Sequence, residues 1–183
     1  YQVRWEDVAE SPDLEVDSLL ELSERYLSTT HLQGHYRSKS LELIDFSNRH
    51  FYEGRLQLLP DREIINRSEP AIEYYSVQGL WENQTNQVEA VAVVTKIVEV
   101  LQEHPGKEIG VVTFNAPQQM LVLDLLEAES LRSGWVIPAS LFVKNIENVQ
   151  GDEKDYIIFS TGYAPDKNGK MFMQFGSLNA VGG

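Results

Sequence analysis

The fold is decided by residues 145–160, which read Asn-Ile-Glu-Asn-Val-Gln-Gly-Asp-Glu-Lys-Asp-Tyr-Ile-Ile-Phe-Ser. The second half of this stretch, continued to Thr161, is a short apolar run rich in aromatic and β-branched residues. Such a run is typical of a central strand that is covered on both faces of a parallel sheet. The polar residues before it, 150–155, predict a loop that leads into this strand.

Three interpretations of that loop remain open. The first is a solvated turn that carries charges. The second is a ligand site, because Gly151 has no Cβ and lets the backbone approach a bound group, while Gln150 and Glu153 can hydrogen-bond a sugar or phosphate oxygen. The third is a Mg²⁺ cluster of Asp152, Glu153 and Asp155, which is disfavoured because alternate residues leading into a strand point in different directions.

Length and composition limit the class of protein. The chain has 183 residues, of which 42% are apolar, so it can bury one sizeable core. It has no apolar run near the roughly 20 residues of a membrane span and no signal pattern at its start. We therefore expect a soluble, cytoplasmic protein without membrane partners. Because the chain begins with Tyr1 instead of Met, we also expect it to be a piece of a longer protein.

Cysteine content and charge exclude further classes. The absence of cysteine excludes disulfides and thiolate metal sites, and the four histidines show no His-Glu-x-x-His spacing. The net charge of −13 argues against nucleic-acid binding by bulk electrostatics, because Lys and Arg supply most of the affinity for phosphate backbones. Residues 34–70 hold six basic and six acidic side chains, so this part of the chain repels phosphate least.

Helical and extended patterns follow one another along the first half of the chain. One-sided apolar spacing predicts a helix from Glu15 to about Leu27, and a short strand then leads into a helix that ends near Phe51. Residues 57–71 contain two prolines and predict a surface loop. A strand from Ile72 to Val77 and a loop from Gly79 to Thr85 are expected next.

The second half contains the strongest periodic pattern. Asn86 is expected to cap a helix that runs to about His104. A buried strand is expected from Ile109 to Phe114, and Asn115 opens the helix after it, so the two form one βα unit. A short strand over 140–143 is expected before residues 145–160. This alternation predicts an α/β fold with a mostly parallel sheet. The residues of the Asn86 helix expected to face the core are Val88, Val91, Ala92, Val98 and Leu101.

Fragments spread from about Leu32 to Asn179 resemble motifs of superfamily 1 helicases, in the branch related to nonsense-mediated-decay and DNA-replication helicases. In chain order they are His35-Tyr36-Arg37-Ser38, Phe51-Tyr52-x-Gly54-x-Leu56, Asn86-x-x-Glu89-Ala90, Val111-Val112-Thr113-x-x-x-x-Gln118, Gln150-Gly151-Asp152-Glu153-Lys154-Asp155 and Phe175-Gly176-x-Leu178-Asn179. The sequence departs from the common family residues at His35, Asn145 and Glu147-Asn148.

The resemblance implies a fold and a division of the chain. The fold is a RecA-like three-layer α/β/α domain of the P-loop NTPase type. Residues 1–31 would be a helical or irregular segment, either the tail of a first motor domain or a linker. Residues 32–183 would be the second RecA-like domain, which stops before the arginine-rich sixth motif of the family.

The resemblance also implies roles for particular residues. Arg37 would be catalytic by contacting the terminal phosphate of ATP, for which the fixed fork of a guanidinium is well suited. The alternative for Arg37 is a helix cap or an ion pair with Glu42. Gly151 and Glu153 would lie at the nucleotide. Nucleic acid would contact Thr113, Asn115 and Gln150, and the alternative for Thr113 and Asn115 is helix capping. Asn86 and Glu89 have two interpretations as well, namely the family motif and a carboxylate stabilised by the helix dipole.

The implied function is that of the C-terminal RecA-like domain of an ATP-dependent DNA or RNA helicase, which binds single-stranded nucleic acid and works with a first RecA-like domain. The cofactor would be ATP with Mg²⁺. Because the sequence has no Gly-x-x-x-x-Gly-Lys-Ser/Thr loop, the metal ligands are expected in the first domain and the chain alone is expected to be inactive. The alternative function is a degenerate helicase-like module that serves as a docking or regulatory domain without ATPase activity.

Overall fold

The computed structural model describes residues 18–35, 38, 40–58 and 70–171. The chain separates into two compact units, residues 1–74 and residues 75–183. The predicted boundary of the family domain, between residues 31 and 32, stays a prediction. Within the described residues, no helix has the length and apolar character needed to cross a membrane.

In its described residues, the first unit has two helices and one pair of short strands. Helix α1 spans Leu19–Tyr26, strand β1 Gly34–His35, helix α2 Leu41–Phe51 and strand β2 Gln57–Leu58, and the two strands pair in parallel. None of the residues of α1 and α2 is buried. The predicted start of the first helix at Glu15 lies outside the described residues. The described helix begins at Leu19, and the Ser18 side chain caps it by accepting the N–H of Glu21 at 3.1 Å.

The second unit has an α/β fold with a parallel sheet. Helix α3 spans Gln87–Glu103, strand β3 Ile109–Thr113, helix α4 Ala116–Ser133, strand β4 Phe142–Asn145 and strand β5 Tyr156–Ser160. A short 3₁₀ helix, Ile146–Asn148, follows β4. The strands lie in the order β4, β3, β5, and both pairs are parallel. The prediction of a RecA-like α/β fold is confirmed.

Three strand predictions need correction. Residues 72–77 form no strand, because none of the described strands pairs with them, and Tyr74 in this segment is 89% exposed. Strand β4 begins at Phe142, two residues later than predicted. In the described sheet β3 is central and β5 lies at the edge, so the expectation that β5 is central and covered on both faces is wrong; Phe159 is 62% exposed.

One face of the sheet is covered by α3 and α4. The core of the unit joins buried residues of both helices to Ile109, Val111 and Val143 of the strands. The buried residues of α3 are Ala90, Val93, Val94, Ile97 and Val100. The predicted core face of α3 is therefore wrong, since Val88 and Val91 are exposed, although Leu101 does pack against the core. Valines occur all around this helix, so the apolar pattern alone does not fix the buried face.

The connection from β4 to β5 has to lie on the other face of the sheet. Crossovers between parallel strands are right-handed, and α4 already covers the first face on the way from β3 to β4. The return in the opposite direction, past β3 to β5, therefore uses the opposite face. The contacts agree, because Lys144 on that face of β4 pairs with Asp152 at 2.6 Å, and Lys154 lies 5.9 Å from the ring centroid of Phe142.

Strand β3 has no side chain at Gly110, beside the Phe142 ring. A Cβ on Gly110 would lie 2.4 Å from the Phe142 ring, so only glycine leaves room for that ring across the central strand. The connection from β4 to β5 carries Gln150, Gly151 and Glu153, which are predicted from the sequence to bind ligands.

Candidate functional site

The three strands of the second unit end in a row of polar side chains. Thr113 of β3 pairs in register with Asn145 of β4 and with Ser160 of β5. Because side chains alternate along a strand, and because Val111 and Val143 belong to the core, this row lies on the face covered by the helices. Thr113 and Ser160 are fully buried. The carboxyl edge of a parallel sheet is where open α/β folds bind ligands.

The turn from Thr113 to Asn115 joins β3 to α4. The Thr113 hydroxyl donates to the Asn115 carbonyl at 2.9 Å, and Asn115 Oδ1 caps α4 by accepting the N–H of Gln118 at 2.7 Å. Asn115 Nδ2 also donates to the carbonyl of Gln84 at 3.1 Å. Both side chains thus shape the turn, which is the capping role considered from the sequence. Their contact with nucleic acid stays a prediction, and because Thr113 is buried, such a contact would come from the turn's backbone or from Asn115.

Gln118 connects this turn to α3 and to β5. Its Oε1 accepts the N–H of Asn86 at 2.8 Å, and its Nε2 lies 3.3 Å from both the Asn86 carbonyl and the Ser160 hydroxyl. Asn86 and Gln118 are almost fully buried. Buried polar groups cost free energy unless they are hydrogen-bonded, and these groups satisfy one another.

Glu89 completes the buried polar cluster. Its Oε1 accepts the Ser160 hydroxyl at 2.8 Å and the N–H of Gly162 at 2.9 Å. Its own N–H donates to Asn86 Oδ1 at 3.1 Å, so Asn86 caps α3 as predicted. We call Asn86, Glu89, Gln118, Ser160 and Gly162 the carboxyl-edge cluster.

The arrangement of Glu89 differs from that of a common helix start. In a capping box the carboxylate three residues after the N-cap bonds back to the backbone N–H of the N-cap residue. Here Gln118 takes that N–H of Asn86, and the Glu89 carboxylate reaches β5 instead. No role is predicted from the sequence for Gln118, Ser160 or Gly162. The sequence did contain a signal for the first two. Gln118 ends the fragment over 111–118 that resembles a family motif, and Ser160 ends the loop and strand pattern of residues 145–160.

The predicted ligand loop is a turn with a left-handed residue. The Asp152 N–H donates to the Val149 carbonyl at 3.1 Å, and Gly151 has a φ of +89° in the third position, where a type II turn requires a positive φ. Gln150, Gly151 and Glu153 are exposed, and no atom lies within 4 Å of the place where a Gly151 Cβ would be. The loop is therefore accessible to a ligand.

The carboxylates beside this turn are held by separate cations. Asp152 pairs with Lys144, whereas Asp155 pairs with Lys107 at 2.9 Å and accepts the N–H of Glu108 at 2.9 Å. In the described ranges no group of three or more His, Asp or Glu side chains could hold a metal ion. The described residues thus do not fit a Mg²⁺ site, and the interpretation of the loop as a magnesium cluster is not supported.

Two further features of the sheet edge concern single residues. Asn145, which departs from the common family residue, has a buried Oδ1 that accepts no hydrogen bond from the described part of the chain. After β5, the N–H groups of Lys170 and Asn168 donate to Asp166 at 2.8 Å each. These bonds hold the pKa of the Asp166 carboxyl below its ordinary value and fix the turn that follows the cluster.

Arg37, the predicted catalytic residue, lies outside the described residues, and so does the fragment from Phe175 to Asn179. On either side of Arg37, the N–H of Ser38 donates to His35 Nε2 at 2.9 Å. His35 therefore has a structural role at the end of β1. The structure brings Thr113 and Asn115 together at the carboxyl edge, and it puts Gln150, Gly151 and Glu153 together on the crossover.

The chain belongs to a family of AAA domains, whose model matches residues 15–178. It is similar to an uncharacterized ATP-dependent helicase of Mycoplasma genitalium, with 34% identity over an alignment of 172 residues; the match covers 88% of this chain and 15% of the relative. A homolog of that helicase from Mycoplasma pneumoniae is 34% identical over 176 residues, with the same two shares. The chain thus spans about 15% of the length of these relatives.

The cluster generates a prediction about stability. We expect Asn86→Ala to lower the free energy of unfolding by about 1–2 kcal/mol, because it removes the N-cap of α3 from a buried position. Chemical denaturation of the chain measures the change. Thr95→Ala is the control, since its hydroxyl is exposed and bonds only within α3, and a change below about 0.5 kcal/mol is expected. Equal stability of Asn86→Ala and the unchanged chain would contradict the role of Asn86.

Proposed function

We propose that this chain is the second RecA-like domain of a larger ATP-dependent helicase of superfamily 1, here called the parent protein. The observation that carries the proposal is the exposed turn at Gly151, which lies on the crossover between two parallel strands of the sheet. The AAA family and the names of the two Mycoplasma relatives support an ATP-dependent helicase as the parent. The small share of the relatives that the chain covers supports a domain within a longer protein.

The turn supplies groups of the kind that a nucleotide needs. Gly151 has no side chain and a positive φ, so its backbone can come close to a phosphate. Glu153 is exposed and can accept a hydrogen bond from a ribose hydroxyl. ATP with Mg²⁺ is the proposed ligand, and the metal would be held by another domain of the parent protein.

The nucleic-acid strand is proposed to run along the carboxyl edge of the sheet. The turn from Thr113 to Asn115 opens the 18-residue helix α4, whose first N–H groups carry partial positive charge. Asn115 and Gln150 are the candidate side chains for contacts with the strand backbone. The net charge of −13 implies that this domain makes few phosphate contacts by itself and shares the strand with the first domain.

The crossover from β4 to β5 would connect the proposed nucleic-acid contact at the carboxyl edge with the proposed nucleotide contact at Gly151. The crossover starts after Asn145, the register partner of Thr113, and ends at Tyr156, the register partner of Ile109. Movement at the nucleic-acid strand can therefore reach the Gly151 turn through the five residues of continuous backbone between Asn145 and Gly151.

A degenerate docking module is the second candidate. The observations that favour it are the acidic surface and the exposed apolar residues of α2, which include Phe46 and Phe51. A docking module and a motor domain differ in ATP turnover by the parent protein.

In the parent protein, Arg37→Ala is expected to lower ATP turnover by about 10³-fold, because an arginine that contacts the transferred phosphate stabilises the charge of the transition state. Arg37→Lys should restore little, since an ammonium lacks the planar fork of donors. The measurement is kcat at saturating ATP. Arg49→Ala is a matched control, because Arg49 is exposed on α2 and pairs only with Asp45 there. Unchanged kcat in Arg37→Ala would mean that Arg37 is a structural residue.

In the parent protein, Gly151→Val is expected to abolish the stimulation of ATPase activity by single-stranded DNA or RNA. Valine at a φ of +89° costs about 1–3 kcal/mol of backbone strain and puts a branched side chain where a ligand has to approach. The measurement is the ATPase rate with and without nucleic acid, together with a thermal melt.

Gly106→Val is the matched control for Gly151→Val. Gly106 has a φ of +85° and an equally open position, but it lies between α3 and β3, away from the carboxyl edge. Both variants should lose similar stability, and only Gly151→Val should lose stimulation. Stimulation that persists in Gly151→Val, or that is lost equally in both variants, would identify the Gly151 turn as an ordinary loop.

A further inference from the structure

The carboxyl-edge cluster joins parts of the chain that the proposed function assigns to the nucleic-acid strand. Ser160 is fully buried, and its hydroxyl lies between Glu89 Oε1 at 2.8 Å and Gln118 Nε2 at 3.3 Å. This hydroxyl donates to the carboxylate and accepts from the amide, so it links α3, α4 and β5 at one atom.

The local structure of α3 does not require the Glu89 carboxylate in this position. Asn86 already caps the helix, and Gln118 already bonds the N–H to which the carboxylate of a capping box would return. The carboxylate instead spans from the first turn of α3 to the end of β5. The contacts of Oε1 are therefore tertiary, whereas Oε2 accepts the side-chain N–H of Asn86 at 3.4 Å within the same helix start. The effect of the Oε1 contacts is on the position of the chain that leaves β5.

The exit of β5 is tightly constrained at Gly162. The N–H of Gly162 donates to Glu89 Oε1 at 2.9 Å, and its φ is +74°. A Cβ on Gly162 would lie 3.0 Å from the Trp81 ring, so the backbone passes directly beneath that ring. Glu89 and Trp81 thus hold one peptide from two sides, and the backbone there has little freedom to shift.

The same cluster reaches the turn from Thr113 to Asn115 through one residue. Gln118 is held by its side chain to Ser160 and Asn86, and by its backbone N–H to Asn115 Oδ1 at 2.7 Å. Displacement of the Ser160 hydroxyl would remove one of the fixed points of Gln118. It would thereby loosen the start of α4 and the turn before it.

We propose that Glu89 is a positioning residue for the nucleic-acid contact of this domain, acting through Ser160 and Gln118 on the turn from Thr113 to Asn115. The inference rests on the proposed function, because it assumes that this turn meets the strand. Glu89 itself touches no ligand. It fixes the turn in the geometry in which the backbone N–H groups at the start of α4 can meet a phosphate.

The test is the affinity of the parent protein for two fluorescein-labelled single strands of equal length, oligothymidylate and oligouridylate. Fluorescence anisotropy gives Kd at a temperature well below the Tm of every variant, so that loss of global stability does not affect the result. Glu89→Ala is expected to weaken Kd about tenfold, as for the loss of a buried charge-assisted hydrogen-bond pair. Glu89→Gln keeps a carbonyl oxygen at the acceptor position and is expected to recover most of this loss.

Glu99→Ala is the matched control, because Glu99 is exposed on the same helix and pairs only with Lys96 at the surface. It should leave Kd unchanged. If Glu89→Ala does not fold, Ser160→Ala decides, since it removes only the shared hydroxyl and is expected to weaken Kd about fivefold. A Kd that is unchanged in the folded Glu89→Ala or in Ser160→Ala, beside a parent protein that binds the strands, overturns the positioning role and leaves the proposed function intact. A parent protein that binds neither strand overturns the proposed function itself.

Discussion

The arrangement of the second unit depends on one buried hydroxyl, that of Ser160, which Glu89 and Gln118 share. Two helices could slide along an apolar sheet face at little cost, because hydrophobic contact has no direction. Hydrogen bonds do have direction, and a buried polar group that loses its partner costs about 1–3 kcal/mol. The cluster therefore fixes where α3 and α4 begin relative to the carboxyl edge of the sheet, which is the edge where the proposed ligands would lie.

The handedness of parallel crossovers fixes the second part of the site. Since α4 covers one face on the way from β3 to β4, the return to β5 has to cross the other face, and Lys144 holds it there through Asp152. Gly110 allows the close approach of Phe142 beneath that connection. The exposed turn at Gly151 is thus a consequence of strand order, and five residues separate Gly151 from Asn145 at the carboxyl edge.

Local features of this fold could be predicted from the sequence, and nonlocal ones could not. The caps at Asn86 and Asn115 depend on neighbouring residues, and the turn at Gly151 depends on four consecutive residues. The edge position of β5 depends on strand order, which no local pattern contains. Glu89 and Ser160 are 71 positions apart, so neither residue alone indicates the other. The predicted buried face of α3 was wrong because valines occur all around the helix. The predicted catalytic role of Arg37 depends on the family resemblance alone.

The most direct test of the central claim is the ATPase rate of the purified 183-residue chain beside that of the parent protein. Phosphoryl transfer needs a phosphate-binding loop with its Lys and a set of Mg²⁺ ligands, and the sequence has no Gly-x-x-x-x-Gly-Lys-Ser/Thr loop. A second RecA-like domain should therefore hydrolyse no ATP above the rate of buffer, while the parent protein turns over. Turnover by the chain alone at a rate comparable to that of the parent protein would contradict its assignment as the second domain.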